Sequence, residues 1–219
     1  MAKETMIPLL AIAAWSGTGK TTLLKKLIPA LCASGIRPGL IKHTHHNMDV
    51  DKPGKDSYEL RKAGAAQTLV ASQQRWALMT ETPEQEELDL AWLVSRMDAS
   101  KLDLVLVEGF KHEPVAKIVL FRNDAGHDVN ELAIDEHTIA VASDIALNIG
   151  VPVLDLNDVD GIVAFIVAKL GLTAAPEWGV NACSGLCVLF CSRDTPAIQR
   201  IFCNRCKKAH PSGWALSLV

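Results

Sequence analysis

The chain has 219 residues and a formal net charge of −3, long enough for one domain with a sizeable core and an appendage. Hydrophobic residues make up 49% and charged residues 21%, which excludes a largely disordered chain. The near-neutral balance gives no general attraction to nucleic acid or to an anionic membrane, while a local site for a small phosphorylated ligand stays open. The apolar start, Met6 to Trp15, is too short to span a bilayer and has no small-residue cleavage site after it, so the expected location is cytoplasmic.

In chain order, the first strand expected is "PLLAIAAW" (8–15), followed by "AWSGTGKT" (14–21) and a helical pattern from Gly19 to Ser34. Set against G-x-x-x-x-G-K-[ST], the loop fits at every defined position except the first, where Ala14 stands for Gly. Gly17 and Gly19 let the backbone curl so that successive N–H groups face phosphate oxygens, and the helix start adds its positive end. Lys20 would reach the β- and γ-phosphates, and the Thr21 hydroxyl would ligate Mg²⁺. The other reading of the loop is a tight structural connection.

A second strand, "PGLIKHT" (38–44), leads into "IKHTHHNMDVDKPGKDS" (41–57). His43, His45 and His46, with Asp49, Asp51 and Asp56, resemble a metal cluster, yet no cysteine or second paired motif completes a closed zinc site in this region. The alternatives are a loop at the phosphate edge, where Lys42, the histidines or an Asp meet phosphate, metal or a partner, or simply a solvated polar loop. A helix over Ser57–Ala65, strands "QTLVAS" (67–72) and "RWALMTE" (75–81), and a helix over Pro83–Met97 follow.

"LDLVLVEG" (102–109) is the next strand, with Asp103 at its start and Glu108 at its end. Ligands of open α/β sheets gather outside the carboxyl ends of strands, so Glu108 is the better candidate for the magnesium shell or for orienting a water, with Gly109 leaving room beside it. Otherwise Glu108 caps a helix or pairs with Lys111. Strands "AKIVLFR" (116–122), "TIAVAS" (138–143) and "VPVLDL" (151–156) and a helix over Asp158–Leu170 close the pattern, with Asp158 as N-cap and Gly171 as C-terminal stop. The late strands run into Asp144, Asn157 and Asp158 but carry no Asn-Lys-x-Asp element, so the residues point to a nucleoside triphosphate without naming its base.

Strand–helix alternation with continuous apolar strands predicts an α/β fold, a mainly parallel sheet flanked by helices. A boundary is expected near Gly171, giving a nucleotide-binding domain over 1–170 and an irregular cysteine-rich tail over 171–219. Cys183, Cys187, Cys191, Cys203 and Cys206 in that tail, with His210, fit zinc-ribbon spacing poorly, and a loosely packed extension is the expectation.

"SGTGKTTL" (16–23), "IKHTHH" (41–46), "DKPGKDSYELRKAGA" (51–65) and "LVEGFKHEPVAKI" (106–118) together resemble the molybdopterin-guanine dinucleotide biosynthesis protein B family, over about residues 5 to 170. That resemblance implies a P-loop NTPase-like fold with additional antiparallel strands, and a homodimer that binds GTP with Mg²⁺ and hydrolyses it weakly. Such a protein works beside the molybdopterin guanylyltransferase, which joins GMP to molybdopterin. It implies phosphate binding by Gly17, Thr18, Gly19, Lys20, Thr21 and Thr22, with Thr21 as the magnesium ligand and Asp51, Asp56 and Glu108 lining the site. The residues read by themselves add Ser16 and Gly109 to the ligand site, Glu108 to the metal, and Lys20 and Glu108 as catalytic groups. Two other function classes use the same residues: a phosphoryltransferase, which needs an Arg-rich acceptor lid not evident here, and a metallochaperone acting through His43, His45 and His46. Arg61 and Arg75 are the arginines whose placement relative to the loop the sequence leaves open.

Overall fold

The computed structural model of the chain describes residues 7–44, 48–84, 88–110 and 113–173. His45, His46, Lys111 and the tail cysteines lie outside the described residues, and with them the zinc, metallochaperone and tail expectations. The elements run β1 (Leu9–Ala13), α1 (Lys20–Ala33), β2 (Pro38–Lys42), α2 (Asp56–Lys62), β3 (Gln67–Ala71), β4 (Trp76–Thr80), α3 (Leu90–Val94), β5 (Leu104–Glu108), β6 (Lys117–Phe121), β7 (Thr138–Ser143), β8 (Val153–Asp155) and α4 (Val159–Leu170).

Six strands form one sheet in the order β2-β5-β1-β6-β7-β8, and β3 and β4 form a separate two-stranded sheet. Every pairing in the large sheet is parallel, whereas β3 and β4 are antiparallel. The expected mainly parallel sheet with extra antiparallel strands is therefore the observed one. From β1 the chain crosses through α1 to β2, beyond β5. From β5 it returns through residues 109–116 to β6, on the other side of β1. The connections diverge at the carboxyl ends of β1 and β5, which makes that edge the topological switch point where α/β sheets bind ligands.

Parallel strands must be covered on both faces, and these are. On one face Leu10, Ile12, Leu104, Leu106, Ile118, Leu120, Ala140 and Ala142 pack with Leu23, Leu24, Leu27 and Leu31 of α1 and Ile162, Val163 and Ile166 of α4. The spacing of these helix residues puts them on one stripe. On the other face α3 covers Ala11, Val105 and Val107, while irregular segments bring Val129, Leu132, Leu147 and Ile149 over Val119, Phe121 and Val141.

Helix ends follow local chemistry. Ile36 N–H donates to Leu31 O and Gly35 N–H to Cys32 O, both at 3.0 Å, closing α1 in a Schellman motif with Ile36 buried against the core. Asp158 caps α4 by accepting from Gly161 N–H at 2.9 Å, and Gly171 ends it in the left-handed region at φ 61°. Among the described residues of the helix expected over Pro83–Met97, only Leu90–Val94 is helical, and Asp89 caps it late by accepting from Trp92 N–H. At its far end Ser95 Oγ donates to Trp92 O at 2.6 Å, and the chain turns.

Asp103 serves the amino edge of the sheet. Its carboxylate binds Arg37 in a two-pronged pair at 2.7 and 2.8 Å, and that hydrogen bonding holds Asp103 below the usual carboxylate range. A second pair ties β6 to the segment before β7, where buried Lys117 donates to Asp135 at 2.7 Å. That bond, helped by Thr138, pulls the Asp135 carboxyl down to about 2. A depressed carboxyl contributes stability that is complete above its unfolded pKa of about 4 and disappears as pH falls through the folded value. Asp135→Asn should therefore lower stability by about 1–2 kcal/mol at neutral pH, since Asp135 is half-exposed but Lys117 is left buried without its carboxylate. In urea titrations the gap between variant and parent should close between pH 4 and 2; a gap of constant size across that window would refute the ion-pair origin.

Candidate functional site

β1 delivers the chain into the loop Ala14–Thr21. Ala14 is buried in the core, which accounts for a methyl where the motif has glycine. Gly17 and Gly19 adopt φ 82° and 104°, conformations that favour glycine, and so curl the backbone as the phosphate motif requires. Ser16, Gly17, Thr21 and Thr22 face solvent, whereas Thr18 is fully buried and its hydroxyl has no hydrogen-bond partner among the described residues. α1 begins at Lys20 with no side-chain cap and no acidic residue in its first turn, leaving its positive end for an external anion. Lys20 Nζ donates to the Ala14 and Trp15 carbonyls at 2.9 and 2.8 Å, so the loop folds back over its own lysine.

β5 brings Glu108 to the same edge. In register it lies level with Ile12 of β1 on one side and Lys42 of β2 on the other. Parallel neighbours in register share a face, and Glu108 accordingly pairs with Lys42 at 2.9 Å. The sequence left open whether Glu108 serves the site or pairs with Lys111; its partner among the described residues is Lys42. Gly109, at φ 100°, leaves room for His43: a Cβ added there would stand 2.8 Å from His43 Cβ and 3.0 Å from its carbonyl oxygen. His43 in turn donates its N–H to Glu108 O at 2.8 Å and rests its ring against Phe110. The histidine loop is thus joined to the end of β5.

Asp51 and Asp49 are clasped by Arg61. Its buried guanidinium reaches Asp49 at 2.7 Å, Asp51 at 2.8 Å and Glu81 at 3.0 Å. Hydrogen bonding from Arg61 lowers the Asp51 carboxyl, and the three acids raise the Arg61 guanidinium. Arg61 therefore ties the loop before α2 to the end of β4, and Asp56 opens α2. Arg75 lies between β3 and β4. Among the described residues, no three His, Cys, Asp or Glu side chains converge as a metal set.

The arginine at the phosphate loop is one the sequence reading missed. Arg122, directly after β6, has Nε 3.5 Å from Thr18 O, and its guanidinium lies about 3.9 Å from where a Cβ on Gly19 would stand. It also meets Asp144 at 3.6 Å. The signal lay in strand order, since β6 pairs with β1 as far as Val119 and Ala13, which carries the following residues along the loop. Trp15 stacks on His127 from the same segment, with ring centroids 4.3 Å apart.

Residues 9–144 match the model of the family described as "Molybdopterin guanine dinucleotide synthesis protein B". The chain belongs to that family. Among its relatives is the molybdopterin-guanine dinucleotide biosynthesis adapter protein of Escherichia coli K12, 79% identical over 167 residues, 76% of this chain and 95% of the relative. The protein of the same name from Haemophilus influenzae is 51% identical over 163 residues, covering 74% and 89%. Among solved structures, a molybdopterin-guanine biosynthesis protein B is 27% identical with a TM-score of 0.59, covering 74% of this chain and 99% of that one. The Bacillus subtilis MobB structure is 25% identical with a TM-score of 0.60, covering 75% and 98%.

The family member described here should be more sensitive at Gly109 than at Gly54. Gly109→Ala combines positive φ with a clash against backbone and should lower stability by more than about 2 kcal/mol. Gly54→Ala, with the same sign of φ but open space around it, should lose only about 1 kcal/mol. Equal shifts in the denaturation midpoints would show that contact with His43 contributes nothing.

Proposed function

We propose that this chain is a GTP-binding adapter in molybdopterin guanine dinucleotide assembly. In this reading it holds GTP with Mg²⁺ in the loop Ser16–Thr22 and works beside the guanylyltransferase that joins GMP to molybdopterin. The observation that carries it is the loop itself. Two glycines at positive φ, an unpartnered buried Thr18 hydroxyl and an uncapped, acid-free start to α1 together suit a polyphosphate. The adapter role rests on the names of the relatives in Escherichia coli and Haemophilus influenzae.

Gly17, Thr18 and Gly19 would cradle the phosphates with backbone N–H groups, and Lys20 would exchange its two loop carbonyls for phosphate oxygens. Thr21 and Glu108 would hold magnesium, which neutralises charge on the phosphate oxygens. Glu108 has to leave Lys42 to do so, or to orient a water, and this supports slow hydrolysis: the loop serves as a clamp more than as a catalyst. Asp51 enters as a group that positions the loop before α2 rather than through direct contact. The β3–β4 hairpin supports a homodimer. Leu69, Trp76 and Leu78 share one of its faces and are 59%, 66% and 48% exposed, more apolar surface than an isolated hairpin keeps in water. No helix among the described residues is long and apolar enough to cross a membrane, and the proposed setting is the cytoplasm.

Lys20→Ala should weaken Mg²⁺-dependent GTP binding roughly tenfold to a hundredfold, measured by calorimetry, through loss of a charge-assisted contact. Unchanged affinity would make the loop a structural turn and remove the reading. Glu108→Gln should slow hydrolysis more than it weakens binding. Leu78→Glu should shift the protein to a monomer in light scattering while leaving GTP affinity of the monomer in place.

A further inference from the structure

Side chains alternate along β5, and Glu108 falls on the face of the sheet that carries Leu104 and Leu106. That face is the one covered by α1, whose first turn holds Lys20 and Thr21. Lys42 stands level with Glu108 and shares its face. Strands lie about 4.8 Å apart, so Lys42 is rooted roughly 10 Å from β1, with Glu108 on the strand between them. An amine and an acid are thus presented together on the α1 side of the carboxyl edge, where β1 leads into the loop Ser16–Thr22.

The two partners differ in freedom. The Glu108 side chain is 10% exposed and ends a buried strand, whereas that of Lys42 is 53% exposed and ends the edge strand β2. Lysine carries its charge on a flexible four-carbon stem, and an ion pair with an exposed member is worth little. A stronger anion can therefore take Lys42 from Glu108. A terminal phosphate brings up to about two negative charges and three acceptor oxygens, against the single charge of the carboxylate. In a loop of this type the backbone N–H groups take the α- and β-phosphates, which leaves the γ-phosphate to side chains. Lys20 is one such group, and Lys42 is a second amine on the same face.

We propose that Lys42 distinguishes a nucleoside triphosphate from a diphosphate. It rests on Glu108 when the loop is empty or holds a diphosphate, and it moves to the γ-phosphate when a triphosphate binds. The inference rests on the reading of Ser16–Thr22 as a polyphosphate site. A diphosphate offers Lys42 nothing better than Glu108, so the pair persists. A triphosphate draws the amine away, and Glu108 is released from its cation only when the terminal phosphate has arrived. One exchange of partners then couples recognition of the γ-phosphate to the availability of the acid.

The test measures Mg²⁺-dependent binding of GTP and GDP to the full chain by calorimetry. The ratio of the two affinities is the readout, because a general disturbance of the loop cancels in it. The parent should prefer GTP. Lys42→Met, of similar length and without charge, should reduce that preference by about tenfold, the loss of one charge-assisted hydrogen bond. Lys42→Arg, which keeps the charge, should retain most of it. A lysine that served only as the partner of Glu108 would have no further effect once the carboxylate is gone. On the proposal, Lys42→Met still lowers the ratio about tenfold in a Glu108→Gln background. A ratio unchanged by Lys42→Met in either background, or lowered equally by Lys42→Arg, would overturn the proposal. Failure of the underlying reading looks different: GTP and GDP would then both bind without sensitivity to Lys20→Ala, or neither would bind.

Discussion

The pairing of β1 with β5 and β6, covered on both faces, is the constraint on which the functional edge depends. Every residue of β5 is buried, Glu108 included, and its backbone groups are satisfied inside the sheet. Register then leaves little freedom: Glu108 must stand level with Ile12 and Lys42, and the chain must leave β1 immediately beyond them. The glycines at 17, 19 and 109 sit where this rigid pair gives way to loops, and Gly109 meets His43 closely. Hydrophobic burial thus fixes the position of polar groups that take no part in it.

Charge is sorted along the same lines. Asp103 is used at the amino edge with Arg37, Asp135 with Lys117 under β6, and Asp49, Asp51 and Glu81 around Arg61. Each of these acids has a cation to itself or shares one. At the loop the balance reverses, with Lys20, Arg122 and the start of α1 close together and Glu108 held by Lys42. A chain with an overall negative charge keeps a positive patch by pairing its acids elsewhere.

Much of this was legible in the sequence because it is written locally. All eight strands follow from apolar runs, the phosphate loop from residue types at fixed offsets, and the ends of α4 from Asp158 and Gly171. Preference for Glu108 over Asp103 followed from which end of a strand each occupies, and Arg37 explains what Asp103 does instead. The residues that escaped depend on strand order. Arg122 meets the loop, and Asp144 meets Arg122, only because β6 lies beside β1 and β7 beside β6, which no local pattern encodes. Lys42 as the partner of Glu108 is a matter of register. The overlong helix before β5 has a different cause: its apolar spacing continues across residues whose boundary is set by one side chain, Asp89, bonding to Trp92 N–H.

The uncapped start of α1 has a consequence for the protein in its cell. Backbone donors and a helix terminus recognise an anion by charge and size, so free phosphate and sulfate would enter the loop by the same forces as a nucleotide. Occupancy then becomes a competition in which the helix start supplies no discrimination of its own. Contacts beyond the phosphates must win it. On the proposed reading, such a protein would respond to the ratio of nucleotide to inorganic anion rather than to nucleotide concentration alone.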